Sequence, residues 1–480
     1  MDANSGNTEA RPKKILFITN AESGQANTIL ALALEASTRS RTEVHIASFP
    51  VLKSRVERVS PKFHFHPLDG KHMLEALAAQ GLTERDLPHP PTSKNLAGYD
   101  NLGLAIVGWD GESYMRIFNS IKKLIEELNP ELLVVDTLLN PGFDACYSLN
   151  RKFVANSPNT PLDVSRSHQP WMKGLWYYPT TGSGISFPVK WKDFPSNLMA
   201  SFALIWTILT SPASNGVIKY RNARGIPGRL PIETGPSRAT HVICPGVREV
   251  DFPLVVPDYV GLYGPIVLDS VPLEVADPEL IPWLNRGETV LMCMGTLFHY
   301  SDSQVKAILG GFLGAVSHDS NTQFLWKLPG KPDFEDLIAE ALKDPRDRDK
   351  FKIVSWLEAD PASIMKHPNV VAWVHHGGAN SYFEGALAGL PQIILPQWTD
   401  LYDMAARAEY RGIGIYGNRS VAPGIEAIEF GAAVARLVRP GKESKGFRTR
   451  AKAAAEACRK AGGKSKAVDK LMEIIDNANE

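Results

Sequence analysis

Cysteine is scarce. Four residues, Cys146, Cys244, Cys293 and Cys458, stand far apart with no C-x-x-C pair, which excludes a structural zinc site and a disulfide scaffold. A reducing compartment, the cytoplasm, is expected. Net charge is also absent: 52 Lys and Arg balance 52 Asp and Glu, so no global field draws the chain to nucleic acid, and no nucleic-acid partner is expected. No apolar run reaches the roughly 20 residues that cross a bilayer. The longest, Leu198 to Thr210 (LMASFALIWTILT), reads as a buried or interfacial helix, so the membrane role left open is peripheral contact. Met1 to Lys14 is polar, and neither a secretory signal nor an entry anchor is expected there. Glycine and proline, 38 and 35 residues, are near average usage and no repeat of 20 to 50 residues is visible, which excludes collagen-like, low-complexity and solenoid chains.

What is present is an ordinary globular composition, 44% hydrophobic over 480 residues, too long for one compact core. Lys13 to Thr19 (KKILFIT) predicts a strand, Thr28 to Glu35 a helix and Glu43 to Phe49 a second strand. The turn between the first two, Asn20 to Asn27 (NAESGQAN), lacks the G-x-G-x-x-G fingerprint, which weighs against a dehydrogenase. A helix at Ile117 to Leu128 and a strand at Leu132 to Asp136 follow. Beyond a Pro-rich passage, strands recur at Thr289–Met294, Phe324–Leu328, Lys352–Trp356, Val370–His375 and Gln392–Leu395. These alternations predict an α/β chain with two parallel-sheet domains facing across a cleft. The division expected is 1–252 for the first domain, 253–285 for a linker, 286–443 for the second domain and 444–480 for a helical tail that packs back on the first. No feature asks for a second subunit, and a monomer is expected.

Ligands of such sheets bind at the carboxyl ends of strands, so the turns there carry the chemistry. The most informative is Val374-His375-His376-Gly377-Gly378-Ala379-Asn380-Ser381-Tyr382-Phe383-Glu384, after the strand NVVAW. Two glycines let backbone N–H groups approach an anion, the helix dipole favours it, and His376 can donate to it. Ser381 and Glu384 equally have the S-x-x-E spacing of a capping box, and spacing leaves both readings open. The aromatics Trp171, Trp176, Tyr177, Tyr178 and Trp191 either line a pocket or pack an irregular surface.

The wider pattern, His367, His376, Gly378, Asn380, Ser381, Glu384, Gly389, Pro391, Pro396 and Asp400, resembles the donor signature of UDP-dependent glycosyltransferases with the GT-B fold, and the amino-terminal half looks like that of fungal members. The resemblance implies that His376, Asn380, Ser381 and the helix N-terminus hold the diphosphate, Glu384 the ribose, and Asp400 the sugar. Gly295 and Thr296 would meet the phosphates and Trp356 would stack on uracil. It assigns Trp171, Trp176 and Tyr178 to the acceptor side. By spacing, Asp400 also suits a helix N-cap. The implied co-substrate is a UDP-sugar, with glucose as the sugar, and the implied course is inverting transfer to a small lipophilic acceptor. No cofactor and no metal are expected, since no D-x-D motif stands at a strand end.

The catalytic end departs from the family. Its histidine, in a G-H pair after the first strand, is here Gly24-Gln25, while the assisting aspartate is present as Asp136. A carboxamide has no useful basicity, so Gln25 can orient an acceptor and cannot deprotonate it. Three explanations stand: Asp136 takes the proton, the acceptor is already acidic, or sugar transfer has been lost and the protein performs another step on a natural-product intermediate or serves as a binding partner. Asp136 could also be a turn residue. Asp144, Asp110 and Glu112 read as solvated carboxylates and His45 as a packed strand residue.

Overall fold

The computed structural model describes residues 11–477 apart from 235, 237 and 317–319. Two parallel sheets account for its strands. The first has β1 (Lys13–Ile18), β2 (Thr42–Ser48), β3 (His64–Pro67), β4 (Leu132–Asp136), β5 (Val154–Asn156), β6 (His241–Cys244) and β7 (Val260–Leu262), in the order 3-2-1-4-5-6-7. The second has β8 (Thr289–Cys293), β9 (Gln323–Lys327), β10 (Phe351–Val354), β11 (Val370–His375), β12 (Gln392–Ile394) and β13 (Gly414–Tyr416), in the order 10-9-8-11-12-13. Central strands such as ILFI, LLVV and VLMC are apolar without alternation because helices cover both faces. Ile15 and Phe17 enter one core while Leu16 and Ile18 enter another. Val290 and Met292 are likewise divided from Leu291 and Cys293.

Seven helices carry the functional geometry: α1 (Ser23–Ala36), α2 (Met73–Ala79), α3 (Phe194–Thr210), α4 (Ala379–Ala388), α5 (Thr399–Arg411), α6 (Lys442–Ala461) and α7 (Gly463–Asn477). The tail is two helices, α6 and α7. Ala467, Val468, Leu471 and Ile475 of α7 share a core with Ile15, Phe17 and Ile29, so the end of the chain returns to the first sheet. The segment read as a linker, 253–285, contains β7, which pairs with β6 and belongs to the first sheet. Three residues are too few to show a period, which is why β7 was not legible. Asp144 also corrects its expectation. It is buried, with Arg221 Nε and Nη2 at 2.7 and 2.9 Å and the Tyr114 hydroxyl at 2.6 Å.

The carboxyl ends of the two sheets are held together by buried polar contacts. Arg407 of α5 donates from Nε to Asp251 Oδ1 at 2.8 Å and from Nη2 to Thr160 Oγ1 at 2.9 Å. Beside it, Tyr382 donates to the Val250 carbonyl and Tyr402 to the His89 carbonyl. The His89 N–H donates to Gln397 O at 2.9 Å, and the Thr399 N–H donates to His89 Nε2 at 2.9 Å. Removing one partner of a buried ion pair strands the other charge. Arg407→Ala should therefore cost about 3–5 kcal/mol, measured as a fall in the urea midpoint of the full chain.

Candidate active site

The turn after β11 is built around one imidazole. Gly377 takes φ +101°, and a Cβ there would stand 2.9 Å from the Leu401 carbonyl, so only glycine passes. A Cβ on Gly295, at the end of β8, would lie 2.7 Å from His376 Cε1, and one on Gly378 would lie 2.6 Å from its Nε2. Two glycines that follow neighbouring strands thus leave room for the His376 ring. Burial pushes His376 down to about 4, so it is neutral near pH 7 and donates one N–H. Its Nδ1 is buried without a hydrogen-bond partner among the described residues. Next to it, His375 Nε2 meets Gln392 Oε1 at 2.8 Å and its Nδ1 accepts from the Gly377 N–H at 3.1 Å, which fixes the turn.

Helix α4 then starts directly at this ring. Its N-cap is Gly378 with no side-chain cap, so Ser381 lies within the helix and the capping box open from spacing does not form. The first-turn N–H groups of α4 lack intrahelical acceptors and, with the dipole, suit an anion beside His376. Glu384 follows one turn later, half-buried, with no hydrogen bond or ion pair among the described residues, and burial pushes it up to about 7. Asp400 sits in the first turn of α5, where the N-cap is Trp398, and burial raises it to about 6. Thr296 is exposed beyond β8. Trp356 is 61% exposed, with the Lys327 ammonium 3.2 Å from its ring centroid, so one face is covered by a cation and the other is open.

Across the cleft, Asn380 Nδ2 donates to the Ser23 carbonyl at 3.1 Å, which joins the N-terminus of α4 to that of α1. Gln25 lies in that first turn, buried, with Oε1 unpartnered. Asp136 is fully buried: Oδ1 accepts from the Leu138 N–H at 3.0 Å, and Oδ2 from the Asn20 N–H and Nδ2 at 3.2 and 3.3 Å and from Thr19 Oγ1 at 3.4 Å. It ties the turns after β1 and β4 together, and burial raises it to about 6. The aromatic residues separate. Tyr178 is 4% exposed, donates to the Pro253 carbonyl and stacks on Phe187 at 5.2 Å, in a cluster that includes Ala406 of α5. Trp171 is 86% exposed, and its carbonyl accepts from Trp176 Nε1 at 2.9 Å. Tyr178 therefore packs the contact between the two halves, while Trp171 stands on the outer surface.

Residues 354–461 match the family model for the C-terminal domain of erythromycin biosynthesis protein CIII-like proteins. Glycosyltransferase sdnJ of Sordaria araneosa is 34% identical over 96% of this chain and 97% of its own length. The chain belongs to the UDP-glycosyltransferase family. Scopoletin glucosyltransferase of Nicotiana tabacum is 30% identical to this glycosyltransferase over 39% of the chain and 40% of its own. Among solved structures, a Polygonum tinctorium UDP-glucosyltransferase capable of glucosylating indoxyl superposes with a TM-score of 0.68 at 16% identity, covering 97% of this chain and 99% of that one. The glycotransferase of kitacinnamycin gives 0.65 at 14% identity, over 97% of this chain and 100% of its own. The fold is GT-B, as the two facing parallel sheets require.

Several residues of this glycosyltransferase's cleft carry no sequence motif. His72 precedes α2, and its Nδ1–H donates to Glu22 Oε1 at 3.0 Å; the Leu74 N–H donates to the same oxygen at 3.0 Å. Glu22 Oε2 is buried without a partner, as are Asn20 Oδ1 and Asn156 Oδ1, the latter residue being tied to α1 through Thr28 Oγ1 at 2.8 Å. Together with Gln25 Oε1 these make four buried oxygen acceptors around the start of α1. The 50 positions between Glu22 and His72 hide their pairing from any local pattern. The hydrogen bond to Glu22 raises the His72 pKa above 6.5. The pair's contribution to stability is therefore full below pH 6.5 and is lost as pH rises through the folded value. In Glu22→Gln, an NMR titration should show the His72 pKa falling back toward 6.5.

Proposed function

We propose that this enzyme transfers a sugar, glucose in the first instance, from a UDP-sugar to a hydroxyl group of a small lipophilic acceptor, with inversion and without a metal. The carrying observation is the contact of Asn380 with Ser23, which joins an anion-favouring helix N-terminus to the start of α1, where Asn20, Glu22 and Gln25 hold buried oxygens without a partner among the described residues. The diphosphate would lie on the first turn of α4 beside His376, Gly295 and Thr296, with Asn380 and Ser381 alongside. Glu384 would accept from the two ribose hydroxyls, Trp356 would offer its open face to uracil, and Asp400 would accept from the sugar. Negative charge developing on the leaving diphosphate is met by preorganised N–H donors.

The acceptor must bring a hydrogen-bond donor to Gln25, Asn20 and Asn156, which favours an alcohol or phenol over a carboxylate, whose charge those oxygens would repel. Its proton needs a base. Asp136 already accepts four hydrogen bonds, whereas Glu22 Oε2 has no partner, so Glu22 is the better placed of the two carboxylates. Glu22→Gln should lower kcat about 10²- to 10⁴-fold with substrate binding retained, and Asp136→Ala should act chiefly on stability. A drop confined to Asp136→Ala would return the role to Asp136. The second reading, a glycosyltransferase-like protein that has lost sugar transfer, is favoured by Gln25 and by the saturation of Asp136.

Calorimetric titration with UDP and UDP-glucose tests the donor site that transfer requires. Binding that weakens about tenfold or more in His376→Ala supports that site, and no detectable binding of either nucleotide rejects transfer. The carboxylate of Glu384 is the acceptor for ribose, and its pKa is raised to about 7. UDP-glucose affinity, whose diphosphate does not titrate in this range, should accordingly fall as pH drops through 7 and lose this dependence in Glu384→Gln.

A further inference from the structure

Helix α3 is built inside out. Its buried positions are Asn197, Ala200 and Ser201, while Met199, Phe202, Ile205, Trp206 and Leu209 are exposed, Phe202 at 61% and Trp206 at 69%. The spacing i, i+3, i+6, i+7, i+10 puts these five on one face. Two of the three buried positions are polar and are satisfied by hydrogen bonds. Asn197 Oδ1 accepts from the Thr180 N–H at 2.8 Å, its Nδ2 donates to the carbonyls of Leu175 and Tyr178 at 3.2 and 3.1 Å, and Ser201 meets Thr180 Oγ1 and the Leu175 carbonyl. Such a helix presents its apolar side to whatever lies outside the protein.

Its surroundings specify that exterior. From Phe194 to Ile218 the chain carries no charged residue. At the amino end stand the exposed Lys190, Trp191 and Lys192 and the half-buried Asp193, with Trp171, Met172 and Lys173 on the segment packed beside the helix; after Ile218 come the exposed Lys219 and Arg224, and at the Ile208 carbonyl Arg229, paired with Glu233. Tryptophan and lysine bordering an apolar stripe match a headgroup layer over an acyl layer, with the net positive flank complementary to anionic lipid. Self-association fits less well, because two copies packed along α3, parallel or antiparallel, would bring basic flanks against basic flanks. The stretch Trp191–Asn222 is long and apolar enough to cross a membrane by composition. Yet α3 has 17 residues, is followed by Pro212, and has one side bonded to Leu175, Tyr178 and Thr180, so it lies along a surface.

We infer that α3, with Trp171 and Trp191, docks this enzyme on an anionic bilayer surface. The docking helix is linked to α5, which carries Asp400. Thr180, held by α3, is two residues from Gly182, whose N–H donates to Asp403 Oδ1 of α5 at 3.3 Å. Resting on the proposed function, this arrangement would let a lipophilic acceptor enter from the acyl layer beside the cleft.

The test is co-sedimentation of the full-length protein with vesicles of phosphatidylcholine alone and with 30% phosphatidylserine. Binding to the anionic vesicles, weakened by salt, and at least about tenfold weaker for Phe202→Ser or Trp206→Ser, is expected. These side chains are exposed, so an unchanged circular dichroism melt shows that the variants fold. Two results would overturn the proposal: no sedimentation with either vesicle, or a dimer in light scattering that both substitutions abolish, which would make a second copy the partner. Because no nucleotide is present, failure here leaves UDP binding, and the reading of the cleft, separately measurable.

Discussion

The guanidinium of Arg407 determines how two separately wound sheets face each other. It is buried, carried by α5, and satisfied at once by Asp251 and Thr160 from the first half of the chain. A charge taken out of water is tolerated only where its donors find acceptors of the right geometry, so the two halves have little freedom to slide at this point. The neighbouring contacts, Tyr382 to Val250, Tyr402 to His89 and His89 to Gln397, use neutral groups and follow from that alignment. Everything at the cleft depends on it. The N-terminus of α4 reaches Ser23 only because the carboxyl ends of both sheets are already opposed.

How much of this was legible in the sequence follows from the range of each interaction. β4 and β11 were readable to the residue because their apolar runs are bounded by Asp136 and by the His-Gly turn. β3, with the pattern HFHP, is an edge strand with exposed ends, and β5 and β7 are three residues long, so none shows a period. The phosphate-type turn was legible from two glycines and a histidine. The reason Gly295 must also be glycine was not, since the ring that excludes its side chain belongs to His376, eighty-one positions on. Asp144 with Arg221 and Glu22 with His72 are similar: each partner is placed by topology and leaves no trace in local spacing. Tyr178 looked like a pocket aromatic because its composition cannot distinguish a ring facing a ligand from one packed against Phe187.

The catalytic anomaly takes a different form in three dimensions. A histidine at position 25 would be expected to titrate; glutamine at the same place contributes an oxygen and an amide that do not. Its oxygen joins those of Asn20, Glu22 and Asn156, all buried and unpartnered. Buried acceptors without donors are costly, and the hydroxyl of the proposed acceptor would supply a donor at the start of α1. Glutamine at this position thus presents an acceptor oxygen where a histidine would present a basic ring.

The same logic of satisfied and unsatisfied groups connects the cleft to α3. In a water-facing helix, apolar residues turn inward because burial removes their area from water; here Asn197 and Ser201 turn inward, and their hydrogen bonds hold the loop from Leu175 to Thr180. That choice makes sense only if the outer face is not left in water. A helix whose inner face fixes the loop beside Asp403, and whose outer face is apolar between tryptophans and lysines, links the surroundings of the protein to the wall of its cleft through one loop. Acceptor supply and acceptor positioning would then share the same structural element, since the loop that α3 holds through Thr180 also carries Gly182, bonded to α5.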